Sequence, residues 1–315
     1  MFDIKEYIMK NRPNLQPSSA DAYVLTLKTL HRKLGLEGEV EDLEYLKDTE
    51  AILEILETYQ PTTRKNMLNA VIVAMKCDGG KACEKYESQR DEYNQAYLDE
   101  NKDQQKNAKQ KENWMEWEKF EKGLGYFDKE VRRLNLRRRS REGELDYEDM
   151  KLMGDYALIK FYHDYPLRND VHAVQVISQS KFNKLDKSLK NNYLVRNRNN
   201  MTLVLRDYKT SKTYGEKMIA INTTLTAILK DWLSVNRSGW MFINEKTGDP
   251  MTSHELTRRL HRITKERAGS RAGSTMIRHS YLSSKYAGLA DEMEKDAHIM
   301  GHSVNVQQGL YVKSD

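Results

Sequence analysis

Cysteine and long apolar runs are what this chain of 315 residues has least of. Its two cysteines, Cys77 and Cys83, have five residues between them and no Cys/His cluster nearby. That spacing matches no usual zinc site, so reduced thiols in an intracellular protein are expected, with no metal and no cofactor. No stretch is apolar enough to span a bilayer. Met1-Phe2-Asp3-Ile4-Lys5 shows no signal-peptide pattern, so a soluble protein that stays inside a cell or a virus particle is expected. Net positive charge is missing from the first half: residues 1–150 hold 26 Lys+Arg against 31 Asp+Glu, while residues 151–315 hold 26 against 16. The overall +5 is therefore concentrated in the second half, at +10, which is the electrostatic footprint of a polyanionic partner.

What is present divides into two parts, as the length allows. The first hundred residues read as helical. Pro17-Ser18-Ser19 opens a helix with Tyr23, Leu27 and Leu30 on one face, and Gly35 ends it. A second helix spans Leu43 to Tyr59, and Pro61-Thr62-Thr63 opens a third through Leu68, Val71 and Met75. Asp78-Gly79-Gly80 breaks the chain before a polar helix from about Ala82. The Lys/Gln/Asn run from Asn101 to Asn113 reads as a linker or an extended helical connection, placing the domains at 1–105 and 114–315 with 106–113 between them. Trp114, Trp117 and Phe120 then begin an amphipathic helix whose aromatics face a core. Arg137-Arg138-Arg139-Ser140-Arg141 reads either as a DNA-backbone contact or as a solvated loop.

Further on, Met153, Ala157, Leu158, Phe161 and Tyr162 recur at helical spacing, and Pro166 ends that helix just before Arg168. Met201 to Leu205 and Lys217 to Ile221 read as strands flanking a connection that holds Lys209 and Lys212. Thr252-Ser253 forms an N-cap for a helix with Leu256, Leu260 and Ile263 buried, whose other face carries Arg258, Arg259, Arg262, Lys265 and Arg267.

The last forty residues carry most of the chemistry: Thr275-Met276-Ile277-Arg278-His279, then Gly301-His302-Ser303, then Tyr311. A phosphodiester under attack gathers charge on its non-bridging oxygens. A planar guanidinium such as Arg278 pairs with two of them, and the imidazole of His302 can add a hydrogen bond. The phenol of Tyr311 suits a nucleophile once nearby cations favour its phenolate. Taken singly, each residue has an ordinary reading: Arg168 as a surface or capping arginine, Lys209 as a solvated lysine, His302 as a histidine beside a turn, Tyr311 as a packed aromatic.

Taken together, Ile277-Arg278-His279, Gly301-His302-Ser303 and Tyr311 resemble the C-terminal boxes of the phage-integrase, or tyrosine recombinase, family. Tyr165-Pro166-Leu167-Arg168 is similar to the segment holding the family's first arginine, and Tyr208-Lys209-Thr210 to the hairpin holding its lysine. The resemblance covers roughly residues 150 to 315. It implies a mainly α protein: a helical N-terminal core-binding domain plus a mixed α+β catalytic domain with a small antiparallel sheet. It also implies Arg168, Lys209, Arg278, His302 and Tyr311 as catalytic residues, with Lys212 as an alternative to Lys209 and His279 as an accessory. Thr275 departs from the family, which usually has a histidine there; its hydroxyl can donate to phosphate but cannot hold a positive charge.

Three functional readings follow from that resemblance. The first is a recombinase or integrase of a viral or mobile element, working in host cytoplasm or nucleus. Such an enzyme assembles as a homo-tetramer on two double-stranded DNA sites and uses no cofactor. The second is a type IB topoisomerase with the same chemistry in a single chain, and the third a non-catalytic DNA-binding protein on the same scaffold. Arg258 and Arg262 are the candidate DNA contacts, with phosphates and guanine edges equally suited to them. Family members often lock together through a segment after the tyrosine. The sequence runs four residues past Tyr311, so either such a segment lies beyond them or assembly relies on other contacts.

Overall fold

The computed structural model describes residues 2–75, 81–102, 106–186, 188–300 and 304. The chain separates into two compact units, 1–106 and 107–315.

In the first unit, helices α1 (Ile4–Asn11), α2 (Pro17–Lys33), α3 (Thr49–Glu57), α4 (Pro61–Ala74) and α5 (Lys81–Lys102) surround a core that includes Ile8, Leu27, Leu30, Ile52, Leu68 and Tyr86. Proline opens α2 and α4 at the first helical position, where its missing N–H costs nothing, and Gly35 follows α2 at φ 76°. The helix expected over Leu43 to Tyr59 is divided. Glu44–Lys47 is a 3-10 turn, and the Asp48 side chain accepts from Ala51 N to start α3 afresh. Arg64 is committed within the unit, donating to Tyr59 O at 2.6 Å and pairing with Glu57, while Lys65 donates to Asn94 at 2.5 Å. Cys83 is disulfide-bonded and not a free thiol; metal-ligand spacing and compartment, the grounds for expecting thiols, do not report whether two sulfurs meet. Cys77 and the Asp78-Gly79-Gly80 break lie outside the described residues.

The second unit begins with α6 (Ala108–Asn113), α7 (Trp117–Arg133), α8 (Leu136–Glu142) and α9 (Tyr147–Asp164). The arginine run expected as a loop or a DNA contact is helical. Asn135 takes a left-handed φ of 50°, the chain restarts as α8 with Leu136 and Ser140 buried, and Arg137, Arg138 and Arg139 pair with Asp231, Glu142 and Asp149. Helix α9 opens on a capping box between Asp146 and Asp149 and ends at Asp164, with Pro166 just beyond. Met153, Ala157, Leu158, Phe161 and Tyr162 are all buried.

Four strands follow: β1 (Val174–Ser178), β2 (Asn192–Arg196), β3 (Met201–Leu205) and β4 (Lys217–Ala220), in the order β1-β2-β3-β4. The sheet is mixed and not wholly antiparallel. The chain crosses over through α10 (Gln179–Phe182), so β1 and β2 run parallel with Val174 opposite Asn192, while the other two pairs are antiparallel. Leu194 and Leu203 face each other on the side packed into the main core; Tyr193 and Val204, one register step along, join Phe182 on the opposite face. The one-turn helix α11 (Ser211–Tyr214) lies between β3 and β4, followed by α12 (Thr223–Val235), α13 (Ser253–Ala268) and α14 (Ser274–Met300). No described helix is long and apolar enough to cross a membrane.

Candidate active site

Arg168 sits at the N-cap of a 3-10 turn, Asn169–Val171, four residues after α9 ends. Three neighbours hold this turn. Tyr165 Oη donates to Ala220 O and accepts from Asn222 N, each at 2.9 Å, tying it to the end of β4 and the start of α12. The Asn169 amide donates to Ser253 O at 3.2 Å and to Thr257 Oγ1 at 2.6 Å on α13, and accepts from Tyr162 Oη at 3.1 Å. Asp170 O accepts from Asn192 Nδ2 at 2.9 Å, reaching the first residue of β2. The C-terminal turn of α9 has its own anchor in Asp164, which accepts from Lys160, His163 and Asn222. Burial works against its charge, but these three donors win and hold its carboxyl at about 2.

Lys209 lies at the base of the β3–β4 connection. Its backbone N–H lies near enough to the Asp170 carboxylate to favour the charged form. Burial raises the Asp170 carboxyl above the ordinary value, although Arg168 and this N–H both oppose the rise. Tyr208, buried, donates to Gly215 O at 2.7 Å and closes the connection on itself. The side chain of Lys209 is exposed. Lys212 is exposed on α11.

Arg278 enters from the second turn of α14, where Ile277 and Ser280 on either side are buried. Burial lowers its affinity for a proton, and the neighbouring Arg168 lowers it further; Tyr162 and Asp170 oppose both. Tyr162 itself is fully buried, which pushes its phenol far up and keeps it neutral. The Nε of Arg278 is buried without a hydrogen-bond partner among the described residues. Its Nη2 makes one long contact, 3.4 Å, to Thr275 Oγ1. His279 is exposed on the same helix, and His302 and Tyr311 lie outside the described residues.

Helix α13 carries the basic residues assigned to DNA, and its faces are not as the sequence suggests. Thr252 caps it in a capping box with Glu255, and Leu256, Leu260 and Ile263 are buried as expected. Arg259 turns inward, pairing with Asp155 at 2.6 Å and Glu245 at 2.6 Å with its side chain 9% exposed. Opposite it stands Gly154 of α9; a Cβ there would come within 2.5 Å of Glu245 Oε1 and 2.7 Å of Arg259 Nη2, so the close approach needs glycine. Arg262 is half engaged, giving Nη2 to both oxygens of Asp155 at 2.8 and 2.7 Å. Arg267 lies over the Tyr126 ring, 3.6 Å from its centre. The helix pattern alone hides this, because the two carboxylates that draw Arg259 inward come from other segments. Arg258 remains exposed, beside His254, which is exposed too.

The arrangement thus brings Arg168, Arg278 and the backbone of Lys209 to one place, with Asp170 among them. Asn169, Asp170 and Asn192 escape sequence reasoning as functional residues. No periodicity or motif marks an asparagine whose partners lie on other segments of the chain. Among the described residues no group of His, Cys, Asp and Glu is arranged to hold a metal ion. No protein-family model and no curated protein matches this chain.

Proposed function

We propose that this protein is a tyrosine-type DNA strand transferase, a site-specific recombinase or integrase of a viral or mobile element. One observation carries the reading: two arginines distant in sequence, Arg168 and Arg278, lie close enough to oppose each other's charge, and Arg278 Nε is buried without a partner among the described residues. Two guanidiniums held this way suit a ligand with several anionic oxygens around one centre, as a phosphodiester has. They gain most when those oxygens carry the charge of a pentacoordinate transition state.

In this mechanism Tyr311 Oη attacks the phosphorus, the bond to the 5′ oxygen breaks, and a 3′-phosphotyrosyl link forms. Lys209 gives its proton to the departing 5′ oxygen, while His302, Arg168 and Arg278 hold the non-bridging oxygens. A 5′ hydroxyl from a second strand then attacks the link and releases Tyr311, so the bond energy is conserved and no nucleotide cofactor is consumed. The bonds from Asn192 to Asp170 O and to Asp207 O support Lys209 over Lys212 as the proton donor, because they set the chain just before Lys209 against the turn that Arg168 opens. Two-site recombination further requires a homo-tetramer on double-stranded DNA, with Arg258 an exposed basic head on α13.

The test is covalent trapping on nicked suicide duplexes bearing the ends of the source element. Wild type is expected to give a shifted band on a denaturing gel, and Tyr311→Phe none, with DNA binding nearly intact. Covalent product from Tyr311→Phe would remove that residue as nucleophile. A band without joining of two sites would identify a topoisomerase, and binding without any band a non-catalytic DNA binder.

A further inference from the structure

Asn192 is 7% exposed, and every hydrogen-bonding position of its amide is used. Nδ2 donates to Asp170 O at 2.9 Å and to Asp207 O at 2.7 Å. Oδ1 accepts from the N–H of Arg206 and of Asp207, both at 2.9 Å. The paired register between β2 and β3 runs from Arg196 opposite Met201 to Tyr193 opposite Val204. Asn192 is the next residue, and its side chain takes over where the main-chain ladder stops. The segment it captures, Arg206-Asp207, leads through Tyr208 to Lys209; the group it captures on the other side belongs to the residue two positions after Arg168. On its own backbone Asn192 stands opposite Val174 at the start of the parallel ladder, so the clamp is itself fixed.

We infer that Asn192 is a positioning residue that sets the main chain leading to Lys209 against the turn that carries Arg168. The inference rests on the strand-transfer reading for its catalytic consequence. An exposed lysine on a four-carbon stem has wide freedom, so the placing of its Cα is the largest control the fold has over where its ammonium can reach. The asparagine is specific to the task. Aspartate keeps the two acceptors but sets a carboxylate against two carbonyl oxygens, leucine leaves all four main-chain groups without partners, and serine does not span the gap.

The experiment compares wild type, Asn192→Ala and Lys209→Ala on ordinary duplex and on duplex with sulfur in place of the bridging 5′ oxygen, a leaving group that needs no proton. Asn192→Ala is expected to cleave ordinary DNA about 10- to 100-fold more slowly, at or below the lower end of a general acid's contribution because the lysine is displaced and not removed. The sulfur substrate should restore it to near the wild-type rate, as it restores Lys209→Ala, with DNA binding unchanged. Equal slowing on both substrates, or no slowing on either, overturns the inference. Amide hydrogen exchange supplies an arm that needs no catalysis. In Asn192→Ala the N–H groups of Arg206 and Asp207 should exchange at least about tenfold faster while the β2–β3 ladder keeps its protection. Uniform loss of protection would show a merely structural role, and unchanged exchange would show that Asn192 holds nothing. If wild type forms no covalent product, the strand-transfer reading fails, and the exchange arm still decides whether the clamp exists. Asn192→Ser, which likewise does not span the gap but leaves a hydroxyl able to bond locally, replaces Asn192→Ala should the latter not fold.

Discussion

The turn bearing Arg168 and the connection bearing Lys209 meet in one place, yet the protein holds them differently. The turn is pinned by side chains from several elements: Tyr165 to β4 and α12, Asn169 to α13, and Asp164 to α12. The connection is gripped at its base by Asn192, and beyond that it carries exposed side chains, Tyr214 at 67% among them. Under the proposed strand-transfer reading the difference suits two kinds of work. A guanidinium that stabilises charge is effective only when it is already in place as the charge develops. A lysine that delivers a proton must follow a moving oxygen, and reach matters more than rigidity.

The comparison breaks most sharply at the arginines. Arg168→Ala or Arg278→Ala should each lower single-turnover cleavage by about 100- to 1000-fold or more, the cost of losing one oxyanion donor, with a much smaller change in DNA affinity. Arg278→Lys should recover little, since a point charge does not reproduce the planar fork. An unchanged rate in either alanine variant would take that arginine out of the site. On the lysine side the expected effect is smaller. Gly215 ends α11 at φ 65° and ψ −158°, a region essentially closed to other residues, and a Cβ added there would meet nothing within 4 Å, so no clash adds to the strain. Gly215→Ala should therefore cost about 1–3 kcal/mol by backbone strain alone, read from the denaturant midpoint. Its cleavage defect should be relieved by the sulfur leaving group, as the arginine defects should not. The mildest test is bound to pH. The carboxyl of Asp164 is depressed in the fold to about 2, so its contribution to stability is complete above the ordinary carboxyl value and is lost as pH falls through about 2. Melting curves of Asp164→Asn should show a deficit against wild type at neutral pH that closes between about pH 4 and pH 2. A deficit that did not depend on pH would mean that packing, not charge, makes Asp164 matter.

The elements legible in the sequence are those whose signals are local. Pro17, Pro61 and Pro166 mark two helix starts and one end, the apolar residues of α9 recur at helical spacing although the helix is buried on nearly every side, and β3 and β4 flank a polar connection. Helix α1 escapes because it is short, although Asp3 caps it on Glu6 N. The division at Asp48 and the restart at Asn135 hinge on single residues whose capping or left-handed geometry no periodicity shows. The parallel pairing of β1 with β2 is a tertiary choice made by the crossover through α10. In the site, the cations are legible by chemistry and order along the chain. The groups that hold them are not, since Asn169 and Asn192 act on the main chain of segments far away.

The inward turn of Arg259 has a consequence for how this protein can change over generations. With Asp155 and Glu245 neutralising Arg259, and Asp155 also steadying Arg262, the electrostatic seating of α13 is settled on its hidden side. The exposed residues His254 and Arg258 lie outside that network. Substitutions there leave the seating intact, so the helix can vary what it presents to a partner while its own foundation stays constant.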